Sequence, residues 1–488
     1  MNKIFLLFVF SICLVFSQNN FSISQKLLNN LSDQDFIFEK ENTSSSHLFK
    51  ASFNSFFILN NGHTNLDNNA ELFIKGKSAS FFSARLEYYN SWLSFTLEPY
   101  TIKQNNIFTT YSDLRMYSLT NNQNNIGYLN KKDTGIRQSN ILIHYKGFGI
   151  KYGIMSHWWG PGFHSALTLT SNAPSQESYS IGTYKDIQAG KLSYRFNILT
   201  MPYKNYMGDQ IYFSGLKANL SYNSKSAITT FGFHRTYLSG NFDKSEIDNN
   251  LSRRWTILDA TGLIFEPLFG QSKKGLEYTI PGTPGFDQWD QLLSAFIKIK
   301  FIDQNLEIYL DLASDDNRAN FIDLRAHWDH TIGYQLGINK IFYYKKYELL
   351  TGAEFLTTRI SNTLNPNFYR GNPNSDSFYT KKMYDYFSYK GRRIGAHSGS
   401  SSDDLIFLLG IKNNTSTIFM TYNKERHGIK SMIHPELKFE YSLSYQHNIL
   451  NNHKFFITIE YEKIKNFAFI ENNLSISRLL LFGYSLYL

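Results

Sequence analysis

Three places in the chain set histidine beside serine or acid closely enough to suggest chemistry: His164-Ser165, His397-Ser398 and the H-W-D-H run that holds His327 and His330. A serine hydrolase built on a barrel wall needs His and Ser on one face of a strand, two residues apart, with a third group orienting the imidazole. Adjacent residues of a strand point to opposite faces, so neither His-Ser pair meets that need. The pairs Asp315-Asp316 and Asp403-Asp404 offer carboxylates for glycoside cleavage, but adjacent acids at strand ends read as solvated, and no second acid stands at the required separation. His327 and His330 are spaced like metal ligands, yet no further ligand accompanies them. The sequence therefore assigns no catalytic residue, no metal and no cofactor.

Binding chemistry is richer than catalytic chemistry. Residues 359–397 interleave cations with aromatics, among them Tyr369, Arg370, Tyr389, Arg392 and Arg393, and Arg426 and His427 follow in the next polar segment. Aromatic faces pack on the C–H faces of sugar rings, and guanidinium forks bind carboxylate or phosphate through paired hydrogen bonds. Such a loop suits an acidic polysaccharide. It equally suits a segment folded inward, its cations paired with interior Asp and Glu, and the residue types alone leave both readings open. The formal net charge of +9 favours an anionic partner.

One further segment stands out. Residues 157–174 read H-W-W-G-P-G-F-H-S-A-L-T-L-T-S-N-A-P. Pro161 fixes its own φ and moves Gly160 out of the helical region, while Gly160 and Gly162 permit positive φ. Trp158, Trp159, Gly160, Pro161 and Gly162 thus define a non-helical corner carrying two indoles, which reads as a packing motif more readily than as a sugar platform.

The elements that must position these residues are strands. Met1-Asn2-Lys3, an apolar run and a small residue at Ser17 describe a signal peptide over 1–17, and the only cysteine, Cys13, falls inside it. The exported chain would hold no thiol or disulfide. Beyond it no apolar run reaches the roughly 18 residues of a spanning helix. Aromatics nonetheless make up 17% of 488 residues, with 33 Tyr and 42 Phe, and alternation with period two recurs. Leu306, Ile308, Leu310 and Leu312 share one face. Leu437, Phe439, Tyr441, Leu443 and Tyr445 oppose Glu436, Lys438, Glu440, Ser442 and Ser444. The closing L-F-G-Y-S-L-Y-L has the spacing of a barrel's last strand. The fold class expected is all-β, a transmembrane antiparallel barrel of about 18 strands with a small periplasmic helical or plug element.

Loop lengths give the topology. With the C-terminus in the periplasm, external loops fall near 465–474, 424–435, 357–402, 315–330, 239–289 and 200–210, separated by short turns. The same parity puts 157–183, and the segment near 100–138, on the periplasmic side as plug segments. The domains expected are the signal peptide, a periplasmic helical segment over 18–45 marked by Ile23, Leu27, Leu28 and Leu31, and a barrel over 46–488.

Several segments in order resemble the capsule assembly Wzi family. They are residues 139–153, the tryptophan corner, G-L-K-A-N-L-S-Y from Gly215, F-G-F-H-R-T-Y from Phe231, L-E-I-Y-L-D-L-A-S-D-D from Leu306, Y-K-G-R-R-I-G-A-H-S-G from Tyr389, N-K-E-R-H-G from Asn423 and P-E-L-K-F-E from Pro435. The resemblance implies an outer-membrane β-barrel lectin that holds capsular or related surface polysaccharide, exposed at the surface of a Gram-negative-type bacterium, without enzymatic turnover. Partners implied are surface polysaccharide, outer-membrane lipid and lipopolysaccharide, and capsule export machinery at the periplasmic end, with no role for nucleic acid. The alternative is a porin or solute channel whose charged interior lines a water-filled pore.

Overall fold

The computed structural model describes residues 47–62, 67–68, 76–107, 132–205, 208–241, 256–262, 264–265, 289–315, 332–359, 378–379, 384–430, 432–449 and 452–488. The expected signal peptide, the helical segment over 18–45, His327, His330, Tyr369 and Arg370 lie outside them.

The alternating segments form one antiparallel wall. From the N-terminus it runs through His47–Asn60, Gly76–Asn90, Leu93–Ile107, Lys132–Tyr145, Phe148–Met155, Gln176–Thr183, Leu192–Lys204, Gln210–Asn223 and Ala227–Asn241. It continues through Trp289–Phe301, Leu306–Asp315, Ile332–Tyr344, Tyr347–Thr357, Asp403–Lys412, Ser416–His427, Glu436–Ile449, His453–Lys465 and Leu474–Tyr487. The short strand Ile187–Ala189 continues Gln176–Thr183 along the same neighbour, so the wall is 18 strands around. His47–Asn60 pairs with the next strand and with the last, from Ser52 opposite Tyr487 to Asn60 opposite Leu479, which closes the cylinder and leaves no free edge.

Side-chain alternation sorts the residues as their chemistry requires. Ile308, Leu310 and Leu312 face outward while Tyr309 and Asp311 are buried inside, and Tyr441, Leu443 and Tyr445 face outward from Glu436–Ile449. Phe, Leu, Ile and Tyr are exposed around the circumference, including Phe53, Phe82, Ile150, Phe231, Leu336 and Phe482. An apolar outer band over a polar, charged interior is the arrangement of a barrel that spans the outer membrane. No described helix is long and apolar enough to cross a bilayer.

Turns at the end that carries Leu488 are short, such as Lys146-Gly147 and Lys345-Lys346, while the connections at the other end are longer. Short turns mark the periplasmic end, so the longer connections are external. This corrects the placement of the tryptophan corner. Residues 156–175 leave Phe148–Met155 and enter Gln176–Thr183 at the external end, not the periplasmic one. The sequence reading counted residues 157–183 as one plug segment and so missed the eight-residue wall strand Gln176–Thr183 within it, and one missed crossing reverses every assignment N-terminal to it. Likewise Leu93–Ile107 and Lys132–Tyr145 are paired wall strands rather than plug, and residues 108–131 lie outside the described residues.

Candidate functional site in the barrel lumen

From Met155 the chain turns into the lumen. Trp159 forms an isolated bridge to Leu169, its N–H donating to the Leu169 carbonyl at 2.8 Å, so the corner is a tight non-helical loop as the proline dictates. Neither Gly160 nor Gly162 takes positive φ, contrary to the role expected of them. Their lack of a side chain serves close approach instead: a Cβ on Gly162 would lie 2.0 Å from the Gln335 amide, and one on Gly160 2.6 Å from the Ala166 methyl. Trp159 lies across Gly215 of the wall, where a Cβ would come within 2.7 Å of the indole, and its ring centroid is 5.8 Å from that of His234. Trp158 donates its indole N–H to the Gly162 carbonyl at 3.1 Å. Trp158 is therefore held within the loop, and Trp159 packs against the wall.

Past the corner, one carboxylate takes hold of the loop. Glu354, buried on the strand Tyr347–Thr357, accepts the backbone N–H groups of Phe163 at 2.7 Å, His164 at 3.2 Å and Ser165 at 2.8 Å. The Tyr309 hydroxyl donates to it at 2.5 Å and the Gln335 amide at 2.7 Å. Three consecutive N–H groups aimed at one anion form a concave backbone cradle, and here the barrel wall supplies the anion.

A second external connection folds in beside the first. The small hairpin of Ser388–Tyr389 and Arg392–Arg393 presents carbonyls to the corner loop: Thr170 N–H donates to Ile394 at 2.7 Å, and the Asn172 amide to Arg393 at 3.0 Å. Tyr379 stacks on Phe387 at 5.0 Å and donates its hydroxyl to the Leu167 carbonyl. Burial raises the Tyr379 phenol above its ordinary range. Trp159, Leu167, Leu169, Phe378, Tyr384, Phe387 and Ile394 share one apolar cluster with wall residues Leu199, Phe213 and Leu356. The two segments thus make a plug with its own core, inside the barrel.

Plug and wall are also joined by ionic contacts. Lys438 Nζ lies 2.6 Å from Asp67, 2.9 Å from Glu425, 3.2 Å from Glu462 and 3.3 Å from Glu440. Against the opposing effect of burial, Lys438 holds the Asp67 carboxyl well below the usual range. His427 bridges Glu425 at 2.9 Å and Glu436 at 3.1 Å. His164 of the corner loop and His397 of the second segment point Nε2 at one oxygen of Asp404, at 3.2 and 3.3 Å. Burial disfavours the charged form of His164, but the Asp404 carboxylate outweighs it and raises the pKa to about 9.

The residues expected to contact sugar divide. Arg392 is buried, bonded to the Asn172 side chain at 2.7 Å and 3.6 Å from Asp67, and burial lowers its pKa to about 9. Arg393 is buried and donates to the Tyr386 carbonyl at 2.6 Å and to Ser388 at 2.8 Å. His427 is enclosed between its two glutamates. These three are corrected from external contacts to interior structural ones, because the segment folds inward and finds acids and carbonyls there. Tyr389 is half-buried, edge-on to Tyr203 at 5.5 Å. Arg426 is paired with Asp403 but keeps 45% of its side chain exposed.

Sequence reading missed Asp67, Glu354 and Lys438, and placed Asp403 and Asp404 in solvent where both are buried. Alternation signals Glu354 and Lys438, each an ionisable residue on the inward face of an otherwise apolar-outward strand. Nothing local signals Asp67.

Comparison with known proteins agrees with this architecture. Residues 32–240 match the family model described as capsule assembly protein Wzi. A search of curated proteins returns no match. Among solved structures the chain is similar to Wzi of Escherichia coli, described as an outer membrane protein involved in group 1 capsule assembly and a carbohydrate binding β-barrel. The identity is 10%, the TM-score 0.56, and the match covers 88% of this chain and 83% of that one. OprB of Pseudomonas putida (10% identity, TM-score 0.40, 91% and 94% covered) and OccK8 of Pseudomonas aeruginosa (9%, 0.44, 91% and 98%) are less similar in shape.

Proposed function

We propose that this chain, whose residues 32–240 carry the sequence pattern of the capsule assembly Wzi family, is an outer-membrane lectin that retains capsular or related surface polysaccharide on the cell. The observation that carries the reading is the filled lumen. A channel needs a continuous water path lined by its charged interior, whereas here two external segments occupy the interior and pair with its charges through Glu354, Asp404 and Lys438. What the plug leaves for a ligand is the external rim.

Retention would work by adhesion rather than turnover. A polymer repeats its epitope, so weak contacts spread over the rim add through effective concentration, and each repeat unit can bind poorly. Arg426, with its partly exposed guanidinium, and Tyr389 are the rim contacts we assign to an acidic sugar, since a charged fork and an aromatic face supply the two kinds of contact such a sugar offers. Lipopolysaccharide surrounds the same rim, and export machinery would meet the barrel at the periplasmic end that carries Leu488.

Conductance separates this from a channel. The purified barrel reconstituted in a planar bilayer should pass little current and should bind acidic polysaccharide in a surface assay. Steady, ohmic conductance of porin size with no polymer binding would replace the lectin reading with the channel.

A further inference from the structure

We propose that His164, His397 and Asp404 form a binding site for a divalent transition-metal ion, zinc by its ligand chemistry, which ties both plug segments to the barrel wall. Zinc takes nitrogen and oxygen ligands at about 2.0–2.1 Å in a tetrahedron, which sets ligand atoms about 3.3 Å from one another. The two edges given by His164 Nε2 to Asp404 Oδ2 and by His397 Nε2 to the same oxygen are 3.2 and 3.3 Å. A water in the fourth position would complete the tetrahedron.

Hydrogen bonding accounts for only part of this cluster: His164 Nε2 contacts the Asn423 side-chain amide at 3.1 Å, but the other two ligand atoms have no such contact. His397 and Asp404 are each 1% exposed, yet His397 Nε2 and Asp404 Oδ2 make no hydrogen bond. Buried polar atoms of this kind are rare without a partner. The two rings stand edge to face with centroids 4.7 Å apart, and both turn Nε2 toward the same carboxylate oxygen. Imidazole nitrogens with a carboxylate in tetrahedral spacing favour zinc over the hard oxygen-seeking cations.

The surroundings hold the ligands in place. Asn68 contacts His397 Nδ1 at 3.1 Å and donates to the His164 carbonyl at 2.8 Å, and the Asn423 amide donates to the other Asp404 oxygen at 2.6 Å. For His397 and Asp404 these partners lie on the side away from the shared centre and fix the orientation of the ligand atom. Each ligand comes from a different part of the fold: the corner loop, the second plug segment and the wall strand Asp403–Lys412. A bound ion would therefore add a cross-link among all three, separate from any contact with sugar.

The test uses the full barrel folded in detergent, stripped with a chelator and titrated with zinc, then with cobalt as a spectroscopic stand-in. The site requires one equivalent of zinc, the visible absorption of tetrahedral cobalt, and a higher thermal midpoint with zinc than without. His164→Gln and His397→Gln should each weaken zinc binding at least tenfold, while His434→Gln, on the half-exposed rim, should not. If either variant fails to fold, the cobalt spectrum and zinc stoichiometry of the unaltered protein decide. Absence of one-to-one binding, a six-coordinate cobalt spectrum, or undiminished affinity in folded variants at both histidines would overturn the proposal.

Discussion

Glu354 accepts the backbone N–H of Ser165 at 2.8 Å across 189 residues of chain, and this contact joins the barrel wall to the plug. The same carboxylate also holds the N–H groups of Phe163 and His164. Glu354→Ala would leave three N–H groups and the Tyr309 hydroxyl without their anion in a buried site. We expect a loss of about 1–3 kcal/mol, the cost of leaving buried donors without their acceptor. Thermal unfolding in detergent measures it, and bilayer current should rise as the plug loosens. A change below about 1 kcal/mol with no added current would show that Glu354 does not hold the plug.

Lys438 stands among four carboxylates, so its removal should cost more than its replacement by symmetry would suggest. Lys438→Met leaves Asp67, Glu425, Glu440 and Glu462 facing one another, with an expected loss of about 3–5 kcal/mol. Adding Glu425→Gln should recover part of that loss, because it removes one of the stranded charges. Strictly additive effects in this double-mutant cycle would show that the two side chains do not interact.

Trp159 and Gly215 are matched in shape, and a methyl group between them must displace the indole. Gly215→Ala should cost about 1–3 kcal/mol by overpacking, and Trp159→Phe in the same chain should relieve part of it. Equal destabilisation with and without the tryptophan substitution would place the cause in the strand rather than in this contact.

Arg393 and Arg426 should separate stability from binding. Arg393→Ala, in the interior, should lower the unfolding midpoint, whereas Arg426→Ala, on the rim, should leave the midpoint within a few degrees and weaken retention of acidic polymer severalfold. Polymer binding to the two variants, measured beside their melting curves, checks the assignment. Loss of binding in folded Arg393→Ala with none in Arg426→Ala would reverse it.

The wall of this barrel was legible because period-two alternation is local: Leu306 to Leu312 or Glu436 to Tyr445 show which face meets lipid without reference to anything distant. The direction of each crossing was less legible, since it depends on counting every strand, and the polar, eight-residue Gln176–Thr183 gives little apolar alternation to count. The plug was the least legible part. Arg392 and Arg393 have a composition that suits solvent and sugar, and what draws them inward is acid, amide and carbonyl groups, Asp67 and Asn172 among them. His164 and His397 are 233 residues apart, and only the folded lumen brings them to one carboxylate.

Retention of polymer by living cells tests the central claim most directly. Surface polysaccharide would be measured in washed cells and in medium, for a parent strain and for one lacking this protein. The lectin account predicts unchanged total polymer, shifted from the cells into the medium, and restored to the cells by the intact chain. Polymer that stays on the cells while uptake of a solute falls would contradict the account and make the barrel a channel.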